Sequence, residues 1–217
     1  MNPKEKLQAI LDAANNTTSA ADTDITAAVR SLIDGFGGVG EPYYSPVSGL
    51  PYYEDMYLAD RGTKNTDAVG NAYRDADNLK RLYCGRNFAA GYGAFYGCLN
   101  LKEAVLNCFC GSEQFWNCSS LEKAVILENC VFQNYVFDSC INLMTVIIPE
   151  NGVHNLPVNN IFVATSQFTT ASGQGRIYVP RNQIAAYEAA TNWSAYAGHY
   201  LAIEDYPEIA SWEEWWK

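Results

Sequence analysis

The 217-residue sequence is poor in histidine and in positive charge, and it contains no long apolar run. It has two histidines, and its 14 lysines and arginines stand against 24 aspartates and glutamates, for a formal net charge of −10. An acidic surface repels phosphate backbones, so this composition argues against nucleic-acid binding. Because no run of about 18 apolar residues is present, we expect no membrane span.

The first twelve residues lack the continuous apolar stretch of a secretory signal peptide. They are charged and amphipathic instead. No signal peptide is visible, so export by another route, a cytoplasmic location and a trimmed start all stay open.

Combinations of catalytic residues are also missing. A Cys–His nucleophilic pair would require His154 or His199 to lie beside a reactive thiol, and Cys130 is the thiol that we would consider. Paired carboxylates can hydrolyse glycosides when they are correctly separated. The carboxylates on or near the repeats described below are Glu103, Glu122 and Glu128, and the repeat periodicity favours ordinary solvated side chains. We therefore expect no enzymatic activity, no catalytic residue and no cofactor.

The sequence does contain a short unit that is repeated five times between Tyr73 and Pro180. Units 2, 3 and 4 have their cores at 95–106, 115–126 and 137–148, each with an aromatic residue, a Cys three places later and a Leu six places later. The first unit keeps this register in Tyr73, Ala76, Leu79, Leu82 and Cys84. The last unit keeps Phe168 as its aromatic residue and 177–180 as its strand. A fixed period of this size is typical of a solenoid, in which units stack to bury their apolar faces.

The pattern Phe-x-x-Cys-x-x-Leu-x-x-(Val/Ala)-x-(Ile/Leu) resembles the bacterial surface-antigen type of leucine-rich repeat, called BspA-like. The ending Ile177-Tyr178-Val179-Pro180, with residues 187–194 after it, looks like the last repeat and cap of that family. The resemblance implies a binding or adhesion role and carries no catalytic residue. The predicted fold class is α/β: a short leucine-rich-repeat solenoid of about five coils of roughly 22 residues, with an N-terminal helical hairpin and a C-terminal helical and aromatic cap.

Seven cysteines raise the alternatives of disulfides or a metal site. Cys98, Cys118 and Cys140 occupy one repeat position, where the first unit has Ala76. We therefore expect a small, buried side chain at this position. The pair Cys108 and Cys110 lacks the two-residue gap of a zinc knuckle. We therefore predict structural thiols and no metal site.

Two amphipathic helices are predicted before residue 36. Asn2, Pro3 and Glu5 form a helix start, and a second helix ends at Gly35. This front end looks similar to the helical N-termini of phage and prophage tail-associated proteins of gut Firmicutes. Helices of about ten residues are marginal alone, so their apolar stripes must meet each other, the repeats or other copies of the chain. The residues predicted to form a homo-oligomer are Leu7, Ile10, Leu11, Ile25, Val29 and Ile33.

Four segments follow from these patterns: a helical extension at 1–36, a linker and N-terminal cap at 37–72, the repeats at 73–180, and a C-terminal cap with an aromatic tail at 181–217. Tyrosine pairs at 43–44 and 52–53 could form a contact surface or shield the first repeat. The tail places Trp212, Trp215 and Trp216 on one helical side, which suits either a partner or folding back.

Alternation along the repeat strands predicts two outward ladders. The apolar ladder consists of Tyr83, Val105, Val125, Ile147 and Tyr178, and the polar ladder beside it includes Arg81, Glu103 and Lys123. Such ladders form the binding faces of repeat proteins. The alternative is that another element covers the apolar ladder.

The predicted function is non-enzymatic recognition of a protein or glycan receptor at a bacterial surface, by a phage or prophage virion-associated component. A secreted or surface-attached bacterial adhesin that mediates host interaction is the alternative. A carbohydrate-active enzyme is a third hypothesis, and it would require a deep pocket with converging carboxylates. The expected location is the virion or the extracellular surface, with the cytoplasm as the alternative.

Overall fold

The computed structural model describes residues 37–38, 41–58, 70–86, 88, 91–154, 156, 161–169 and 173–213. In these ranges the strands are β1 (Gly37–Gly38), β2 (Tyr43–Tyr44), β3 (Pro51–Tyr52), β4 (Asp55–Leu58), β5 (Arg81–Cys84), β6 (Glu103–Leu106), β7 (Phe109–Cys110), β8 (Lys123–Ile126), β9 (Val131–Phe132), β10 (Thr145–Ile147), β11 (Arg176–Val179) and β12 (Tyr200–Ala202). The α-helices are α1 (Ser166–Thr169), α2 (Ile184–Ala189) and α3 (Pro207–Ala210), and single 3₁₀ turns lie at Arg181–Gln183, Ser194–Tyr196 and Ile203–Asp205.

One large sheet organises the fold, with the strand order β1-β4-β5-β6-β8-β10-β11-β12. Neighbours from β4 to β12 are parallel, and the short β1 is antiparallel to β4. The register is strict: Leu82, Ala104, Ala124, Val146 and Ile177 lie side by side. Because side chains alternate along each strand, this register forms continuous rows of one inward and one outward type. Two small sheets, β2-β3 and β7-β9, complete the described strands.

Stacked aromatic rings run through the interior opposite the sheet. The ring centroids from Tyr73 to Phe95, Phe115, Phe137 and Phe162 are 5.3, 5.5, 5.6 and 5.6 Å apart, and adjacent planes lie within 17° of parallel. All five rings are buried, together with the inward side chains of the strands. Offset stacking of this kind adds specific geometry to the apolar burial.

In each of the first four units, two backbone positions adopt the left-handed conformation, two places before and two places after the aromatic residue, and in the fifth unit the later position does so. The earlier positions are Asn71, Gly93, Glu113 and Tyr135, with φ between 56° and 59°. The later positions are Asp75, Gly97, Asn117, Ser139 and Ala164, with φ between 52° and 69°. Gly, Asn and Asp tolerate this conformation best, and they occupy five of these nine positions.

The aromatic residue of the fifth unit is Phe162, where the sequence predicts Phe168. Phe137 donates its backbone N–H to the carbonyl of Ile161 at 2.8 Å, as Phe115 does to Val136 at 2.9 Å, so residue 162 continues the row. Phe168 lies six places later, at the Leu position, and stacks on Phe162 at 4.6 Å. Both residues are phenylalanines, so the pattern alone did not separate them.

The predicted leucine-rich-repeat solenoid with helical caps is wrong as a fold class. The described residues form a mixed α/β fold around an eight-stranded sheet with seven parallel strands, and their three α-helices have only four to six residues. The repeats account for five of the parallel strands. β4 and β12 extend the sheet through backbone hydrogen bonds, which require no repeat signature.

The predicted N-terminal helical hairpin and its oligomerisation residues Leu7, Ile10, Leu11, Ile25, Val29 and Ile33 lie outside the described residues. Among the helices that are described, none has the length and apolar character needed to cross a membrane.

Candidate binding groove

The centre of the apolar ladder is covered. Val105 and Val125 are 1% exposed and Ile147 is fully buried. The side chains that pack against this cluster include Ile203, Ile209 and Trp212 from the C-terminal segment, with Tyr83 and Tyr178 at its margins. Three of the residues predicted to bind a partner are therefore interior in this structure, and Tyr83 and Tyr178 are half-buried.

The C-terminal segment is held in place by polar contacts as well as by packing. The backbone N–H of Arg181 lies 3.1 Å from both carboxylate oxygens of Glu204, and its guanidinium pairs with Asp205. The ring of Tyr206 contacts that of Tyr178 edge to face at a centroid distance of 5.1 Å. These contacts fix residues 203–212 across the outward face of the sheet.

A row of charged side chains begins the strands on the same outward face. The first residues of β4, β5, β6 and β8 pair in register and alternate in sign: Asp55, Arg81, Glu103 and Lys123. The polar ladder predicted from the sequence thus lies in this row, and Asp55 adds a member that the repeat pattern did not include.

A second row lies one residue earlier, where the chain enters each strand. Backbone hydrogen bonds of 2.7 to 2.9 Å link Glu54 to Lys80, Lys80 to Lys102, and Lys102 to Glu122. The sheet register therefore holds this row as firmly as the first. The alternation pattern concerns positions inside the strands and so did not include Glu54, Lys80 and Lys102. The place of Lys80 and Lys102 directly before a repeat strand was a usable signal, whereas Glu54 precedes β4, which has no repeat signature.

Most charges in the two rows form ion pairs. Arg81 donates two hydrogen bonds to Asp55, at 2.7 and 2.6 Å. These bonds raise the pKa of the Arg81 guanidinium; the charges of Asp55 and Glu103 add to the rise and burial opposes it. Lys123 Nζ lies 3.2 Å from a Glu103 oxygen. In the outer row, Lys80 and Glu54 pair at 3.1 Å.

These side chains line an open groove of about 460 Å³, called the charged groove below. Its lining residues are Glu54, Asp55, Lys80, Arg81, Lys102, Glu103 and Lys123. Four cations and three carboxylates give this groove a formal charge of +1 in a chain of −10. Lys102 is exposed, and its ammonium group has no ion-pair partner among the described residues.

A stacked tyrosine pair borders the charged groove. Tyr57 and Tyr83 lie two places after Asp55 and Arg81, on the same face of their strands, and their rings stack at a centroid distance of 4.6 Å. Both rings are half-buried. They separate the charged rows from the covered apolar cluster.

The thiols do not form a catalytic pair in the structure. All seven cysteines are free and buried, and burial raises the pKa of thiols such as Cys98. Cys130 donates its thiol hydrogen to the carbonyl of Leu106 at 2.9 Å. The hydrogen bond between Cys130 and His154 uses the Cys130 backbone. In the described part of the chain, no group of three or more His, Cys, Asp or Glu side chains could hold a metal ion.

Comparison of the chain with protein-family models, with curated proteins and with solved structures gave no match.

Proposed function

We propose that the protein is a non-enzymatic recognition module that binds a protein or glycan receptor at a bacterial surface, with the charged groove as its contact surface. The observation that carries this proposal is the groove itself, an open site of about 460 Å³ whose lining has a net positive charge and includes Lys102, which forms no ion pair among the described residues. Its size lies in the range of small-molecule sites. The resemblance of units 2 to 4 to bacterial surface-antigen repeats points to the same role.

Most of the charges in the groove are held in ion pairs. The three carboxylates, those of Glu54, Asp55 and Glu103, are each paired with a cation. The groove thus offers fixed donors and acceptors for recognition.

We place this module on a phage or prophage virion, at an extracellular surface. The resemblance of the N-terminal segment to tail-associated proteins supports this location. A homo-oligomer formed through residues 7–33 would present several grooves together, and linked weak sites reach a higher combined affinity than one site. Light scattering of the full chain and of a chain lacking residues 1–36 tests this arrangement; two monomers would remove the multivalent part of the proposal.

The groove is tested by the binding of the fluorescently labelled full chain to intact bacterial cells. Lys102→Gln removes the unpaired cation, and Arg86→Gln is the matched control, because Arg86 also carries one exposed charge but pairs with Glu128 outside the groove. We expect several-fold weaker cell binding for Lys102→Gln and little change for Arg86→Gln. Equal binding by both variants would show that the groove is not the contact surface. Binding to host epithelial cells in place of bacteria would favour the adhesin alternative.

A further inference from the structure

Resting on the proposed function, we infer that the ligand of the charged groove is a saccharide that carries a carboxylate group, with Lys102 as the residue that receives this carboxylate. The inference depends on which charges of the groove are already neutralised and on what kinds of polar atoms remain along it.

Among the described residues, the ion pairs of the groove leave one cation, Lys102, without a partner. Arg81, Lys123 and Lys80 lie within 3.2 Å of their carboxylate partners. Lys102 lies between Lys80 and Glu122 in the outer row, and the described residues form no ion pair with it, Glu122 included. A single anionic group of a ligand would therefore complete the charge balance of the groove.

The alternation of charge suits hydroxyl groups around that anion. A hydroxyl group both donates and accepts hydrogen bonds, whereas a carboxylate only accepts and an ammonium or guanidinium only donates. Neighbouring strands lie about 4.8 Å apart, so hydroxyl groups spread along a saccharide chain would meet acceptors and donors in turn, at Asp55, Arg81, Glu103 and Lys123.

An acidic peptide fits the same groove less well. Several ligand carboxylates in a row would approach the three carboxylates of the lining, and like charges at this range repel. A saccharide with one carboxylate among neutral hydroxyls matches Lys102, the groove cation that forms no ion pair in the described part of the chain. The stacked rings of Tyr57 and Tyr83 add a rigid, partly apolar border beside the charged row.

Calorimetry with matched saccharides tests the inference. The probes are galacturonic acid with its methyl ester, and sialyllactose with lactose, titrated into the full chain at low and at physiological salt. In at least one pair we expect the acidic member to bind about tenfold or more tightly than the neutral member, with weaker discrimination at higher salt. In Lys102→Gln this preference should fall to about twofold, and in Arg86→Gln it should persist.

Several results would overturn the inference. Equal binding of acidic and neutral members, no binding of any probe, or a preference that survives in Lys102→Gln would each remove the carboxylate assignment. Displacement by tri-glutamate at the same concentration would assign the groove to acidic peptides. If cell binding depends on Lys102 while every saccharide fails, the saccharide inference is wrong and the proposed recognition function stands; if cell binding ignores Lys102, the proposed function fails as well.

Discussion

One side chain in each later unit donates a hydrogen bond to the backbone of the unit before it. The thiols of Cys98, Cys118 and Cys140 reach the carbonyls of the preceding aromatic residues at 3.2, 3.1 and 3.1 Å. In the fifth unit the hydroxyl of Thr165 makes the same bond to Phe137 at 2.7 Å. Because Ala76 occupies this position in the first unit, where no earlier unit supplies an aromatic carbonyl, the position selects for small size and for a donor together.

Two substitutions of Cys118 separate these requirements. Cys118→Thr keeps a donor, and we expect its free energy of unfolding to lie within about 1 kcal/mol of wild type. Cys118→Val has the shape of Thr without the hydroxyl and removes one donor to the Phe95 carbonyl, which keeps a hydrogen bond from the backbone N–H of Cys98 at 3.4 Å. It should therefore be roughly 0.5–1.5 kcal/mol less stable than the Thr variant. Urea unfolding measures the difference. Equal stability of the two variants would mean that volume alone matters at this position.

His154 is the histidine for which the structure gives a titration argument. Burial lowers the pKa of its imidazole, and a hydrogen bond to the backbone of Cys130 opposes this shift. Its ring meets that of Phe132 edge to face at a centroid distance of 6.3 Å. The folded chain therefore binds a proton at His154 less readily than the unfolded chain does.

The sign of the pH dependence follows from linkage. Between the lowered folded pKa and the unfolded value of about 6.5, the unfolded state binds more protons, so the free energy of unfolding falls as pH drops below that value. The contribution of His154 is fully present above about pH 6.5. His154→Gln removes the titrating group and keeps a hydrogen-bond donor, so urea unfolding at pH 7.5 and 5.5 should differ less in this variant than in wild type. If the free energies of unfolding at the two pH values differ as much in His154→Gln as in wild type, other groups cause the pH dependence.

The turns around each aromatic residue carry a cost that depends on the residue placed there. A residue with a Cβ pays about 1–2 kcal/mol in the left-handed conformation, and Gly does not. The sequence supplies Gly93 and Gly97 in the second unit but Glu113 in the third and Ala164 in the fifth. The units are therefore unequal in local strain although their backbones are alike.

Replacing Ala164 tests this account. Ala164 is exposed and has φ 52°, so Ala164→Gly should raise the free energy of unfolding by up to about 1 kcal/mol. The same substitution inside a helix should have the opposite effect. Ala186→Gly, at an exposed site of α2, should lower the free energy of unfolding by about 0.5–1 kcal/mol. Thermal or urea unfolding of both variants gives the comparison. A loss of stability in both would contradict the strain assigned to residue 164.

The strands that the sequence revealed are those that follow an aromatic residue by nine places. β4 was not predicted because residue 47, nine places before Met56, is a valine. β12 follows no repeat signature either, and it joins β11 through backbone pairing from Tyr200 to Ala202. Edge strands of this kind leave little trace in a side-chain pattern, because the backbone makes the contact.

The charged groove could be predicted only in part, because some of its residues lie on a strand without a repeat signature. Arg81, Glu103 and Lys123 lie on repeat strands, so alternation placed them outward from the sequence alone. Asp55 and Glu54 depend on β4 and could not be placed. The burial of Val105 could not be derived either, because the residues that cover it, Ile203 and Ile209, come from a segment without periodicity.

The path of the chain after β12 decides which part of the outward face a partner can reach. Residues 203–212 cross the middle of the sheet and bury the apolar row, while the charged groove stays open at the strand starts. The covered area and the proposed recognition surface are therefore separate regions of one face. The apolar row that alternation predicts as a binding face is the part that residues 203–212 cover.

A chain that ends at Ala202 tests this division. Removing the covering segment leaves the inward core of the sheet untouched but exposes Val105, Val125 and Ile147 to water, where each would lose about 1.5–3 kcal/mol of burial. We expect stronger fluorescence of a hydrophobic dye, self-association in light scattering and a lower free energy of unfolding. Ile209→Ser should show the same changes to a smaller degree. It supplies the test if the truncated chain does not fold. Tyr44→Ala is the control, because Tyr44 is already 65% exposed and lies on the β2-β3 hairpin.

The truncated chain should also keep its binding to cells and its dependence on Lys102, because the groove is lined by residues 54–123 alone. We therefore expect different results from the two measurements: dye binding rises, while the binding to cells that depends on Lys102 persists. Loss of both would mean that residues 203–212 shape the groove as well as cover the apolar row. No rise in dye binding would mean that another part of the chain covers Val105, Val125 and Ile147, and the role assigned to Ile203, Ile209 and Trp212 would then be wrong.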